Sequence, residues 1–190
     1  MSGFANKRIT EEDLVSSNFD ASKLREKGFD EHQLKLAGFD AADLKAAGFN
    51  AVQLRCAGFT PADLKRGGFS VVDVSEAGFN NSRLVEAGFT AHELKDKLNL
   101  NLMDLKNAGF GATELKGVGF VAAQLKSVGF TAKDIRHLYS PGEILRAGYS
   151  KAEMKPLGLW PHDGEWQSYN QYWNCCFSLD KKSLHCSAHI

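Results

Sequence analysis

The residue types best suited to chemistry crowd into the C-terminal part of the chain. His162 is followed by the pair Cys175 and Cys176, and then by Cys186 and His189 in a Cys-x-x-His arrangement. Thiolate and imidazole are the usual ligands of a tetrahedral zinc ion, so this set predicts one zinc. Either Cys175 or Cys176 can serve, and His185 competes for a place. All three tryptophans and three of the four cysteines lie from Trp160 onward. A segment this small holds little apolar core, and a metal would explain how it folds. The alternative is a cap whose tryptophans cover the open end of whatever precedes it, with the cysteines buried or free.

Two pieces of this segment, His162-Asp163-Gly164 and Trp173-Asn174-Cys175-Cys176, resemble part of the cysteine- and histidine-rich zinc modules known as CHORD domains. The leading Cys pair and the last Cys of that family have no counterpart here. The resemblance covers about 30 residues and implies a single zinc rather than two.

No catalytic constellation is legible. No glycine cluster is followed by the Lys-Ser/Thr pair that a phosphate-binding loop needs. Cys56 lies among small residues with no evident activating partner. Glu165 is the only glutamate near the cysteine/histidine set, which gives a zinc hydrolase little to work with. The sequence reads as that of a non-enzyme.

Two further patterns concern binding. Arg25, Lys35, Lys45, Arg55, Lys65, Lys95, Lys106, Lys116, Lys126, Arg136 and Lys155 form a basic column. It is either a stripe that tracks a phosphate backbone or an acidic partner, or a solvated position favourable to helix C-termini. Elsewhere, two positions four apart change from one unit to the next. They include His32, Val52 with Cys56, Ala62 with Arg66, Val72 with Glu76, His92 with Asp96, Met103 with Asn107, and Lys133 with His137. Four apart on a helix is one face. A constant frame with a variable face is how repeat proteins present a binding surface. Drift at exposed positions would give the same pattern.

The frame that must position these residues is a ten-residue repeat, present in about fifteen copies from residue 9 to 158. Phe19, Phe29, Phe39, Phe49, Phe59, Phe69, Phe79 and Phe89 fall ten apart, with Leu or Val midway between them. One residue enters near Asn99, where Leu100 takes the aromatic place, and one is lost before Tyr139. The unit from Phe59 to Gly68 shows the logic. Thr60 is a good N-cap, Pro61 suits the first helical position, and Asp63 can close a capping box. Phe59 can staple onto Leu64, and Gly68 supplies the left-handed stop. Each unit therefore predicts a seven-residue helix and a three-residue turn. Helices this short are unstable alone, so stacking must supply the stability.

The predicted fold is all-α: a solenoid of short helices with a small irregular C-terminal module. The Gly-Phe-(Ser/Thr/Asp)-x-x-(Asp/Glu)-Leu-Lys unit resembles decapeptide arrays of microbial proteins. The Phe/Leu alternation every five residues also resembles the pentapeptide-repeat family, which implies a right-handed quadrilateral β-helix. Against that rival, the glycine, cap and acid signals follow a period of ten, and His92 and Ser82 occupy slots that would point inward.

The organisation is then a tail over 1–8, the array over 9–158 and the module over 159–190. Equal numbers of Lys+Arg and Asp+Glu, 23 each, give no net charge. That weakens the case for nucleic acid or an acidic membrane as partner. No signal-peptide pattern or membrane-length apolar run is visible, which predicts a cytoplasmic or nuclear protein. The expected function is a repeat scaffold for a protein partner. Two alternatives are a nucleic-acid binder using the basic column, and a β-helix that mimics DNA.

Overall fold

The computed structural model describes residues 8–160. Its described part is a run of short helices: α1 (Glu11–Ser16), α2 (Ala21–Glu26), α3 (Glu31–Leu36), α4 (Ala41–Ala46), α5 (Ala51–Cys56), α6 (Pro61–Arg66), α7 (Val71–Glu76), α8 (Asn81–Glu86), α9 (Ala91–Leu98), α10 (Leu102–Ala108), α11 (Ala112–Gly117), α12 (Ala122–Ser127), α13 (Ala132–Ile135), α14 (Pro141–Arg146) and α15 (Lys151–Met154). A 3-10 turn, Lys155–Leu157, follows. No strand occurs among the described residues, which overturns the quadrilateral β-helix alternative. The ten-residue cap and stop signals decide between the two, because a five-residue period has no use for them.

One unit shows how the sequence writes its own boundaries. The Thr60 hydroxyl accepts the Asp63 N–H at 3.2 Å, and the Asp63 carboxylate accepts the Thr60 N–H at 2.9 Å. Two of the orphan donors at the start of α6 are thereby satisfied. At its end, the Gly68 N–H reaches the Lys65 carbonyl at 2.9 Å and the Phe69 N–H reaches the Leu64 carbonyl at 3.0 Å. This pair of bonds is a Schellman motif with glycine at C′. Phe69 then precedes Ser70, the N-cap of α7, so one residue closes a helix and introduces the next. The helix is six residues rather than seven, because the small residue at its end, such as Ala47 or Ala57, is the C-cap.

Departures from the repeat follow their residues. α2 and α8 lack a full capping box, since Lys23 and Arg83 replace the acid. α11 starts at Gly111 with no side-chain cap. Gln124 still accepts the Val121 N–H at 3.0 Å, although valine offers nothing in return. The inserted residue lengthens α9 to eight residues, and Asn99 ends it in the left-handed region at φ 54°.

Each helix packs chiefly on the helix two units away, so one turn of the superhelix takes two repeats. α3, α5, α7 and α9 stack on one side; α2, α4, α6, α8 and α10 stack on the other. Beyond them α11 packs on α13 and α12 on α14. The core runs down the middle as the mid-helix residues, Leu24 through Ile144, all with no solvent exposure. Stacked helices approach closely: a Cβ added at Gly67 would lie 2.7 Å from the Ala41 Cβ.

Two glycines separate backbone strain from crowding. Gly28 and Gly78 sit at φ 89° and 85°, where an L side chain is strained. A Cβ at Gly28 meets nothing within 4 Å, whereas one at Gly78 would stand 2.4 Å from the Arg55 guanidinium. Gly28→Ala is expected to cost about 1–2 kcal/mol from the left-handed backbone alone. Gly78→Ala should cost measurably more in a urea titration, because Arg55 must move as well.

Candidate interaction surface

Nine of the eleven cations of the basic column are consumed by the architecture, while Arg136 and Lys155 are exposed. Arg25, Lys35, Lys45, Arg55, Lys65, Lys95, Lys106, Lys116 and Lys126 each reach forward two units to a backbone carbonyl at the end of the stacked helix. The carbonyls belong to Ala47, Ala57, Gly68, Ala77, Gly88, Val118, Val128, Leu138 and Gly148 in that order. Lys35 Nζ donates to Ala57 at 3.0 Å and Lys95 Nζ to Val118 at 2.9 Å. The same nine cations lie 4.6 to 5.2 Å from the ring centroids of Phe49, Phe59, Phe69, Phe79, Phe89, Phe120, Phe130, Tyr139 and Tyr149. A positive charge suits both an orphan helix carbonyl and the negative face of a ring. Each cation is thus a clamp between successive turns of the superhelix.

Neither sequence-based reading of this column foresaw the clamp. A signal was present in the spacing, because each ring follows its cation by 23 to 25 residues (Lys116 to Tyr139, Arg25 to Phe49, Lys95 to Phe120). It is strengthened by a joint exception. Ser75 replaces the cation in α7, and Leu100 replaces the ring two units later. Val85 also lacks charge and lies half-buried against the core. Near the end, Tyr139 and Tyr149 add a bond of their own. Their hydroxyls donate to the Phe120 and Phe130 carbonyls at 2.5 and 2.6 Å. Burial raises both phenols, Tyr149 to about 12.

The capping acids are spoken for as well. Hydrogen bonds from Thr60 hold Asp63 below the usual carboxylate range, led by its side chain. The Thr90 N–H does the same for Glu93, and the Thr131 hydroxyl for Asp134. A carboxylate whose folded pKa is lowered stabilises the fold above its unfolded value and loses that contribution as pH falls through the folded one. Thermal stability should therefore be level down to about pH 5 and fall steadily below pH 4. Thr60→Ala should shift the Asp63 titration, followed by carboxyl NMR, back toward the unfolded value.

What the frame leaves over is the variable face. His32, Val52, Arg66, Glu76, His92, Asp96, Met103, Lys133 and His137 are all exposed. Val72 differs: it is half-buried and packs on the core. His92 and Asp96 meet at 3.3 Å across one helical turn. Arg66 pairs with Asp63 on its own helix. The stacking places these positions in two ladders, one along each flank of the superhelix.

A family model described as a decapeptide repeat region matches the chain twice in tandem, over residues 28–98 and 99–169. The chain belongs to the decapeptide-repeat family. The boundary between the two matches falls at Asn99, where this decapeptide-repeat array carries its inserted residue. No curated protein and no solved structure matches the chain significantly.

The zinc set of His162, Cys175, Cys176, Cys186 and His189 lies outside the described residues. Among the described residues, no group of three or more His, Cys, Asp or Glu side chains is placed to hold a metal. No helix there is long and apolar enough to cross a membrane.

Proposed function

We propose that this decapeptide-repeat protein is a non-enzymatic scaffold that binds a protein partner through the exposed second and sixth positions of its helices. One observation carries the reading. Most mid-helix leucines, caps, rings and cations have structural partners, whereas the second and sixth helical positions are exposed in most units and vary from one unit to the next. The nucleic-acid alternative loses most of its support, since nine of the eleven cations of the basic column are committed to rings and carbonyls. Zinc in the segment beyond residue 160 rests on the residue types there; metal content of the purified chain, with and without Cys175→Ser and Cys176→Ser, tests it.

The scaffold reading is tested by affinity purification from the native cell with the chain and with two surface variants. One carries His32→Ala, Val52→Ala and His92→Ala; the other carries Arg66→Ala, Glu86→Ala and Met103→Ala. Loss of a specific protein with either variant, with unchanged melting, supports the reading. Retention of every partner by both variants sinks it. Recovery of nucleic acid that salt removes steeply would move the assignment to the alternative.

A further inference from the structure

The two flanks of the superhelix differ chemically, and the difference follows a period of twenty residues that a ten-residue alignment hides. The second helical position is small in α2, α4, α6 and α8: Ser22, Ala42, Ala62 and Ser82. In α3, α5, α7 and α9 it is His32, Val52, Val72 and His92. Helices two apart stack, so over α2 to α9 the small residues fall on one flank and the larger ones on the other, and α10, stacked on α8, adds Met103 at the end of the first flank.

On the second flank an apolar stretch passes into an acidic one. Leu36 is 76% exposed and Val52 48% exposed, with Cys56 exposed beside it and Val72 half-buried below. Glu76, on the same rung as Val72, and Asp96, on the next, are both exposed. Ser75 stands where other units carry a cation, and Lys95 is turned toward Phe120 and the Val118 carbonyl. Lys97 is exposed but lies about 100° around the helix from Asp96. His92 meets Asp96 at 3.3 Å. The first flank has no such order. Its small residues alternate with Glu26, Arg66 and Glu86, and Arg66 and Arg83 are paired on their own helices.

The geometry points to the flank built by α3, α5, α7 and α9 as the docking face for an extended peptide segment that is apolar along most of its length and basic at one end. This rests on the scaffold reading and names the flank and the class of partner. Charge complementarity selects the basic end, against Glu76 and Asp96. The rung spacing selects the register. Packed helices stand about 8–10 Å apart, and a polyproline II segment has three residues per turn and rises about 3.1 Å per residue, so every third side chain returns to the same side about 9 Å further on. Apolar side chains every third residue therefore meet Leu36, Val52 and Val72 in turn, and a Lys or Arg three further on meets the acids. The full span of four rungs is about ten residues.

The test uses the full chain and labelled synthetic decapeptides in a fluorescence anisotropy titration. One peptide has apolar residues at three-residue spacing and ends in Lys-Arg. A second has the same composition with the apolar residues adjacent, and a third ends in Glu-Glu. The first is expected to bind at least about tenfold tighter than either, with the margin over the acidic peptide shrinking in salt. Leu36→Ser with Val52→Ser should weaken it about tenfold or more, while Ala62→Ser with Ser82→Ala leaves it unchanged. Glu76→Lys should reverse the preference between the basic and acidic peptides, a readout that loss of folding cannot imitate. Equal binding of all three peptides overturns the proposal. So does self-association abolished by Leu36→Ser, which would give the flank to a second copy of the chain. If the peptides fail and a native partner is lost only with the Arg66, Glu86 and Met103 variant, the scaffold reading stands and this flank assignment falls.

Discussion

Leu64→Ala is expected to destabilise the array by about 3–5 kcal/mol, the cost of emptying a fully enclosed leucine site. Leu64 has no solvent exposure and sits midway along α6, which stacks on both α4 and α8. A six-residue helix cannot hold itself together by hydrogen bonds alone, since nucleation is costly and few turns repay it. Its stability is the packing of that one side chain against both neighbours. In a solenoid the loss does not stay local. Removing α6 breaks the nearest-neighbour coupling that joins the repeats before it to those after it. Urea unfolding followed by circular dichroism should show a lower midpoint and a split or broadened transition. Leu64→Met, which conserves volume, should cost less than about 1.5 kcal/mol. A single sharp transition with an unchanged midpoint for Leu64→Ala would show that stability resides in the caps rather than in the core.

The local structure was legible because it is written in residues that act on their immediate neighbours. Thr60, Pro61 and Asp63 announce a helix start within four residues, and Gly68 announces its end. Even the failures were readable: Lys23 and Arg83 are where the capping box is missing. The way helices stack was less legible. Nothing within one unit says that it rests on the unit two away, and that step sets where every side chain points. The basic column shows the consequence. Taken one unit at a time, Lys65 is a cation near a helix C-terminus, which is correct but incomplete. Its partners, the Gly88 carbonyl and the Phe89 ring, lie more than twenty residues on. The near-constant spacing of cation and ring, with its paired exception at Ser75 and Leu100, was the hint of the link. The difference between the flanks was hidden for the same reason, since it appears only once alternate helices are separated.

The clamps carry the second large effect. Replacing Lys45, Arg55 and Lys65 together by methionine is expected to cost about 3–6 kcal/mol. A hydrogen bond to a charged group contributes about 1.5–3 kcal/mol where it is shielded from water, and a cation over a ring about 0.5–1 kcal/mol at an exposed site. These clamps are partly open to solvent, so about 1–2 kcal/mol for each is the fitting scale. Methionine keeps the apolar stem that covers the ring and removes only the charge. The clamps bridge α4 to α6, α5 to α7 and α6 to α8, so their loss loosens three successive turns. A double-mutant cycle between Lys65→Met and Phe89→Leu isolates the ring contribution from the carbonyl bond. A coupling of about 0.5–1 kcal/mol, little changed by moderate salt, is expected for a charge held at 4.7 Å over a ring. If the triple variant melts with the parent chain and the cycle shows no coupling, the cations are solvated ornaments of the helix ends. The basic column would then be free again for a phosphate backbone, and the choice between protein and nucleic acid as partner would have to be reopened.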